Sequence, residues 1–201
     1  MADAAPRPAR IGSTANLLGI ARILATPVVI VLLLIATPGT GIVAFVVFCL
    51  AAITDFLDGW IARRRGEVSP LGVFMDLTAD KVLVAGVLVV LVEVGLLPTW
   101  IVATILIREL VIAGVRQMAA AGNVVIAARA LGKSKTMMTL IGMAVLLLAF
   151  DAMTGGVVPA GAADALELVG FWIMVVATAL TLVSGWDYLR GALPMLLGRQ
   201  P

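Results

Sequence analysis

The chain has 201 residues, of which 62% are hydrophobic and 13% charged, and 14 Lys and Arg against 12 Asp and Glu give a net charge of +2. A soluble domain has about 25% charged and 45–50% apolar residues, so a mean hydropathy of +1.15 excludes a water-facing surface and predicts an integral membrane protein. No His and one Cys are present, which excludes His-dependent triads, His-ligated zinc and an intrachain disulfide. Ion or proton chemistry must therefore use Asp, Glu, Lys and Arg.

Six apolar segments are each long enough to cross a hydrocarbon core about 30 Å thick, which takes roughly 20 helical residues. They predict an all-α integral membrane protein that forms a bundle of six transmembrane helices. In chain order these are Leu17–Ala36, Gly41–Ala62, Asp76–Leu97, Trp100–Ala121, Lys133–Phe150 and Leu168–Trp186. Residues 1–13 are predicted to be a disordered or interfacial arm, residues 14–190 one membrane domain, and residues 191–201 a short cytoplasmic tail.

The positions of Lys and Arg predict which side of the membrane each connection faces. The connections 37–40, 93–99 and 151–167 contain neither residue, whereas the N-terminal arm, the run 63–65, the stretch 129–135 and the tail are basic. Basic loops stay in the cytoplasm. The sequence therefore predicts a multi-pass protein of the bacterial cytoplasmic membrane with both termini in the cytoplasm.

Charged side chains of several predicted helices lie at one depth. Asp58, Asp80 and Lys135 are about 22–26 Å from the outer ends of their helices at the helical rise. Arg108 and Glu109 are about 12–14 Å from the outer end, near the membrane midplane. Because charge within a span is costly and functional by default, we expect a site just beneath the cytoplasmic boundary.

Four aspartates form two pairs on predicted helices. Asp55 and Asp58 are spaced i, i+3, and Asp76 and Asp80 are spaced i, i+4, so each pair shares one helix face. Four carboxylates facing one another repel unless a cation neutralises them. Oxygen ligands select hard ions such as Mg²⁺ or Mn²⁺, and four carboxylates suit two ions, the arrangement used for in-line displacement at phosphorus.

Small and basic residues follow the first acidic pair. Gly59 and Ala62 share a helix side on which a nucleotide could approach closely, or they serve the helix packing that is common in membrane bundles. Arg63 provides a planar fork suited to a phosphate, or it anchors the helix at the cytoplasmic surface.

At this point the residues resemble a known family. The sequence contains the run Asp55-x2-Asp58-Gly59-x2-Ala62-Arg63-x8-Gly72-x3-Asp76-x3-Asp80, which has every fixed position and gap of the CDP-alcohol phosphotransferase signature. Further residues make roughly residues 14 to 190 similar to the bacterial phosphatidylglycerophosphate synthases. They are Asn16-Leu17-Leu18 and Arg22 in the first predicted helix, Arg108-Glu109-Leu110 with Arg116 in the fourth, and Gly132-Lys133-Ser134-Lys135-Thr136 at the start of the fifth. One departure is Leu77, where these enzymes usually have a Pro; we expect that Pro at a helix start, and its loss should affect local rigidity more than chemistry.

The resemblance implies an enzyme that transfers the phosphatidyl group of CDP-diacylglycerol to sn-glycerol 3-phosphate, giving phosphatidylglycerophosphate and CMP. It implies a homodimer among membrane lipids, with a cytoplasm-facing active-site cavity, and no nucleic-acid partner. It also implies two Mg²⁺ or Mn²⁺ ions, with Asp80 both as a ligand and as the base that takes the acceptor proton. The implied metal ligands are Asp55, Asp58, Asp76 and Asp80. The implied CDP contacts are Asp55, Asp58, Gly59, Ala62, Arg63 and Gly72.

A phosphorylated acceptor needs a basic pocket separate from the metal ions. The candidates at a suitable depth are Arg116, Lys133 and Lys135. Further candidates are Arg22, Lys81 and Arg108. Anchoring to the inner leaflet is the alternative role for these cations.

Two other functions fit parts of the pattern. A member of the same family could use another acceptor, as a cardiolipin synthase acting on phosphatidylglycerol or a phosphatidylinositol phosphate synthase does, because the signature binds only the shared donor. A non-enzymatic cation transporter could use the four aspartates as a transit site. Against transport, no polar path marks the outer half of the predicted bundle.

Overall fold

The computed structural model describes residues 14–65, 70–121 and 131–196, and the side chains of residues 18–54, 78–120 and 134–194. Within these ranges all regular structure is helical, which confirms the all-α fold class. The helices are α1 (Thr14–Ile35), α2 (Thr40–Arg65), α3 (Pro70–Glu93), α4 (Thr99–Ala121), α5 (Leu131–Met153) and α6 (Ala163–Leu196), and a 3₁₀ turn, Ala160–Ala162, precedes α6.

Each predicted membrane segment corresponds to one helix, but the bounds differ: the segment Asp76–Leu97 runs past the end of α3 at Glu93, and several helices extend beyond their apolar stretch. α3 begins at Pro70, where the fixed φ and missing N–H of proline suit the first helical position. Leu77 therefore lies inside α3, and the prediction that it marks a helix start is wrong. α6 continues to Leu196, so the predicted tail begins as helix. The predicted arm 1–13 lies outside the described residues.

The helices pack in an order that differs from their order in the chain. α5 packs along α6, α1 contacts α2 and α3, α2 also contacts α5, and α4 packs against α6. Neighbours therefore follow the order α3, α1, α2, α5, α6, α4, and α3 and α4 touch each other only slightly. The core between them is aliphatic and aromatic, with fully buried side chains that include Val29, Leu33, Leu91, Met143 and Leu146.

The outer surface and the helix lengths identify a membrane protein. Three helical stretches of the described chain are long and apolar enough to cross a membrane: Leu18–Ile35, Ser134–Met153 and Ala160–Pro194. Large apolar side chains also remain exposed, among them Leu24 at 62% and Leu110 at 73%, as expected where lipid replaces water. The six crossings, the cytoplasm-facing cavity and the orientation stay predictions.

A buried carboxylate joins α2, α5 and the turn after α5. Asp151 is fully buried in the last turn of α5; its Oδ1 accepts a hydrogen bond from Ile42 N at 2.9 Å and its Oδ2 one from Val158 N at 2.9 Å. The first bond caps the start of α2, whose N–H groups have no partner within the helix. Gly41 and Gly156 pack against this carboxyl residue, and a Cβ on Gly41 would lie 2.5 Å from Asp151 Cα.

We predict that Asp151→Ala strongly destabilises the protein. The change leaves two partly buried N–H donors without their acceptor, and each such donor costs about 1–3 kcal/mol. The free energy of unfolding should therefore fall by about 2 kcal/mol or more, seen as a lower thermal midpoint of the detergent-solubilised protein. The control is Val157→Ala in the same turn, where the side chain is 74% exposed. Equal midpoints for the two variants would contradict the prediction.

Candidate active site

The signature residues lie on two consecutive helices. α2 holds the first five fixed residues and α3 the last three, and the helical backbone puts each acidic pair on one face. Only residues 66–69 separate the end of α2 at Arg65 from the start of α3 at Pro70, so these two Cα atoms lie within about 19 Å of each other. The two pairs therefore belong to two helices that follow each other in the chain and are joined by a short connection.

Asp80 is the predicted metal ligand whose side chain the structure describes. It is half-buried and engaged in a polar or electrostatic interaction. Among the side chains described, no group of three or more His, Cys, Asp or Glu could hold a metal ion. The other predicted ligands and CDP contacts, and one acceptor candidate, have side chains outside the described part: Asp55, Asp58, Asp76, Gly59, Ala62, Arg63, Gly72 and Lys133. The predicted donor set consists of carboxylates alone, and carboxylate oxygens are the ligands that a divalent ion such as Mg²⁺ prefers.

Four charged side chains from three helices meet at one carboxylate. They are Lys81 of α3, Arg108 and Glu109 of α4, and Lys135 of α5, and we call them the Glu109 cluster. Glu109 Oε2 accepts a hydrogen bond from Lys81 Nζ at 3.2 Å, and Oε1 accepts one from Arg108 Nη1 at 2.8 Å and another from Lys135 Nζ. The side chains of Arg108 and Lys135 are 12% and 11% exposed, whereas those of Glu109 and Lys81 are 29% and 46% exposed. The cluster therefore has a buried side, formed by Arg108 and Lys135, and an exposed side, formed by Lys81 and Glu109.

A second set of contacts fixes Arg108 to α6. Its Nε donates to the carbonyl oxygen of Thr181 at 3.2 Å, and its Nη2 donates to Ser184 Oγ at 3.0 Å. Gly185 provides the room for this side chain, because a Cβ there would lie 3.1 Å from Arg108 Cγ and 3.1 Å from Arg108 Nε. The guanidinium is therefore held by contacts with two helices.

Three of the six basic acceptor candidates come together in this cluster: Lys81, Arg108 and Lys135. Glu109 is predicted to lie nearer the midplane than Lys135, yet the long side chain of Lys135 reaches it. Sequence reasoning missed Glu109 as the shared partner, although two adjacent charges in an apolar span were a signal. Nothing in the sequence indicated that Ser184 and Gly185 contact Arg108, since small neutral residues are common in membrane helices.

Two other candidates lie apart from these contacts. Arg116 is exposed, and its guanidinium carbon lies 5.7 Å from the centre of the Tyr188 ring, a cation–π contact between α4 and α6. Arg22 is 1% exposed within α1 and takes part in at least one polar or electrostatic interaction.

The chain is similar in sequence to a known protein family and to several bacterial enzymes. A family model described as CDP-alcohol phosphatidyltransferase matches residues 13–183, which include the signature and the Glu109 cluster. A relative from Bacillus subtilis (strain 168), named CDP-diacylglycerol–glycerol-3-phosphate 3-phosphatidyltransferase, is 36% identical over 75% of this chain and 74% of its own length. A relative of the same name from Cereibacter sphaeroides is 33% identical over 92% of this chain and 97% of its own. A relative from Mycobacterium tuberculosis, named "probable phosphatidylglycerophosphate synthase", is 32% identical over 92% of this chain and 84% of its own length.

We predict that Gly185→Ala and Gly191→Ala in α6 differ in stability. Alanine favours a helix over glycine by about 1 kcal/mol, and at Gly191 a Cβ meets nothing within 4 Å. At Gly185 the added Cβ would lie only 3.1 Å from Arg108 Cγ, so the close contact should offset the gain in helix stability. Thermal unfolding of the detergent-solubilised variants should show a raised midpoint for Gly191→Ala alone. The same rise in both variants would contradict the close contact.

Proposed function

The chain belongs to the CDP-alcohol phosphatidyltransferase family and is an enzyme of that class, and we propose that it transfers the phosphatidyl group of CDP-diacylglycerol to sn-glycerol 3-phosphate. The products are phosphatidylglycerophosphate and CMP. Family membership confirms the resemblance, and the cation-transporter alternative is not retained. The structural observation that carries the acceptor assignment is the meeting of Lys81, Arg108 and Lys135 at one place. Such a group of cations suits the phosphate of the acceptor.

Enzymes of this family use divalent metal ions. In our proposal two Mg²⁺ or Mn²⁺ ions are held by Asp55, Asp58, Asp76 and Asp80. When bound, such ions stabilise the charge on the reacting phosphate and on the leaving group. The CDP moiety is bound by Asp55, Asp58, Gly59, Ala62, Arg63 and Gly72, where small residues give close access and Arg63 supplies a fork for phosphate oxygens.

The reaction is a substitution at phosphorus in which Asp80 acts as the base. Its carboxylate takes the proton of the acceptor's C1 hydroxyl, and that oxygen forms a bond to the phosphorus that carries the diacylglycerol. The bond from this phosphorus to the CMP oxygen breaks, and CMP leaves with the electron pair. Lys81, Arg108 and Lys135 bind the acceptor's phosphate, with Arg116 and Lys133 nearer the cytoplasmic surface. Holding both substrates in this way makes the attack effectively intramolecular.

The proposed setting is the bacterial cytoplasmic membrane. Residues 14–190 form one domain that crosses the membrane six times, with both termini and the active-site cavity on the cytoplasmic side and a second copy completing a homodimer. The distribution of Lys and Arg supports this orientation. A site at the inner boundary also fits the substrates, because the lipid donor arrives from the bilayer and the acceptor from water.

We predict acceptor-dependent CMP release from CDP-diacylglycerol. Purified protein should release CMP with a divalent ion and sn-glycerol 3-phosphate, and removal of the ion by EDTA should abolish the release. Glycerol, inositol phosphate and phosphatidylglycerol serve as competing acceptors in the same assay. A higher kcat/KM for phosphatidylglycerol or inositol phosphate would replace the proposed acceptor while leaving the family assignment intact.

We predict that Asp80→Asn lowers CMP release by about a hundredfold or more, the usual contribution of a general base. The amide keeps the size of the side chain but cannot take the acceptor proton. Thermal unfolding should show that the variant remains folded. Asp164→Asn is the control, because Asp164 is exposed in the first turn of α6, far along the chain from the signature. Turnover near the wild-type level in Asp80→Asn would contradict the base assignment.

A further inference from the structure

The Glu109 cluster carries an excess of positive charge. Three cationic groups and one carboxylate give +3 − 1 = +2. Uncompensated charge among apolar helices is costly, so binding of a second anion here would be favoured. A phosphate monoester carries a charge of about −1.5 to −2 at neutral pH, which balances the excess. A phosphodiester, with a single charge, does not.

The contacts suggest how the cluster accepts such an anion. Lys81 and Lys135 reach α4 through the carboxylate of Glu109, whereas Arg108 is also fixed by Thr181 and Ser184 of α6. Arg108 therefore keeps its place when the carboxylate moves. The two Glu109 oxygens accept from the same donors that phosphate oxygens would use. At 29% exposure the Glu109 side chain can be reached by a ligand.

We infer that Glu109 is a positioning residue that fills the anion site of the cluster until a phosphate monoester takes its place on Lys81 and Lys135. The carboxylate gathers cations from three helices before the substrate binds, and it competes with the substrate for them. The identity of the monoester as the acceptor rests on the proposed function. The anion site itself rests on the contacts of the cluster.

The test is the binding of inorganic phosphate to the full-length protein in an uncharged detergent, without CDP-diacylglycerol. EDTA is present, so that phosphate cannot bind through a divalent ion. Binding is measured as the rise of the thermal midpoint with phosphate concentration, since a ligand of the folded state stabilises it. We expect Lys135→Gln to lose this response. We expect Glu109→Gln to respond at about a tenfold lower phosphate concentration than the wild type, because the competing carboxylate is gone.

Two further variants complete the series. Glu109→Asp keeps the charge and should return the response towards that of the wild type. Glu167→Gln removes a carboxylate near the start of α6 and should behave as the wild type does. Weakened phosphate binding in Glu109→Gln would overturn the inference, because Glu109 would then only support the cations. An unchanged response would also overturn it, because the anion would then bind elsewhere.

A charge-balanced double variant covers the case in which Glu109→Gln does not fold. When Glu109→Gln is combined with Lys81→Gln, the cluster keeps only the charges of Arg108 and Lys135. Its net charge is then +2, the same as that of the wild-type cluster. The double variant should bind phosphate more tightly than Lys81→Gln alone, whose cluster has +2 − 1 = +1. Equal or weaker binding by the double variant would contradict the inference.

Two other ligands identify the kind of phosphate. Dimethyl phosphate, a singly charged diester, should stabilise the wild type far less than inorganic phosphate does, and an equal effect would contradict the charge match. Phosphatidic acid in mixed micelles presents the same monoester on a lipid. We expect the water-soluble anion to act by itself, and a response to phosphatidic acid alone would overturn the inference.

A kinetic measurement separates this inference from the proposed function. In Glu109→Gln the KM for sn-glycerol 3-phosphate should fall about tenfold while the KM for CDP-diacylglycerol stays the same, and kcat should fall because the product carries the same phosphate. A phosphate response as expected with no CMP release from any acceptor would leave the anion site standing and overturn the function. CMP release together with phosphate binding that is independent of Glu109 would overturn this inference and leave the proposed function standing.

Discussion

The ion pairs of Glu109 connect helices whose apolar surfaces scarcely meet. α3 and α4 touch only slightly, yet Lys81 and Glu109 join them, Lys135 adds α5, and Arg108 adds α6 through Ser184. Among apolar helices the effective dielectric constant is low, so these attractions are stronger than at a water-exposed surface. A charged side chain that is left buried without its opposite charge also destabilises the folded protein. One carboxylate therefore links α3, α4 and α5 at the candidate site, while Arg108 holds α4 to α6 through separate contacts.

The helical architecture could be predicted from the sequence because lipid imposes a simple rule. A helix satisfies its own backbone hydrogen bonds, and apolar side chains must cover the length that faces hydrocarbon. Hydropathy therefore located the six α-helices of the described residues, but it measured the apolar length rather than the helical length. The polar start of α3 at Pro70 and the end of α6 at Leu196 lie beyond the apolar stretches. Proline at position 70 was itself a helix-start signal.

The candidate site could be predicted only in part. Lys81, Arg108 and Lys135 were identifiable because charge inside an apolar span is rare. Their meeting at one carboxylate was not predictable, since it requires knowing which faces of α3, α4 and α5 approach one another and how far each lysine extends. Likewise, Ser184 matters through its position beside Arg108, not through its residue type. The signature was the reverse case, because its fixed spacing identified the family before any contact was known.

The capping bond between Asp151 and Ile42 joins residues 109 positions apart. A chain is synthesised from its N-terminus, so α2 is complete before the residue that caps it has been made. During that interval the Ile42 N–H group must find another partner, such as water or a lipid headgroup, and its own helix cannot supply one. α2 therefore gains this cap only after α5 has been synthesised. The last residues of α5 thus complete a helix that began to form much earlier.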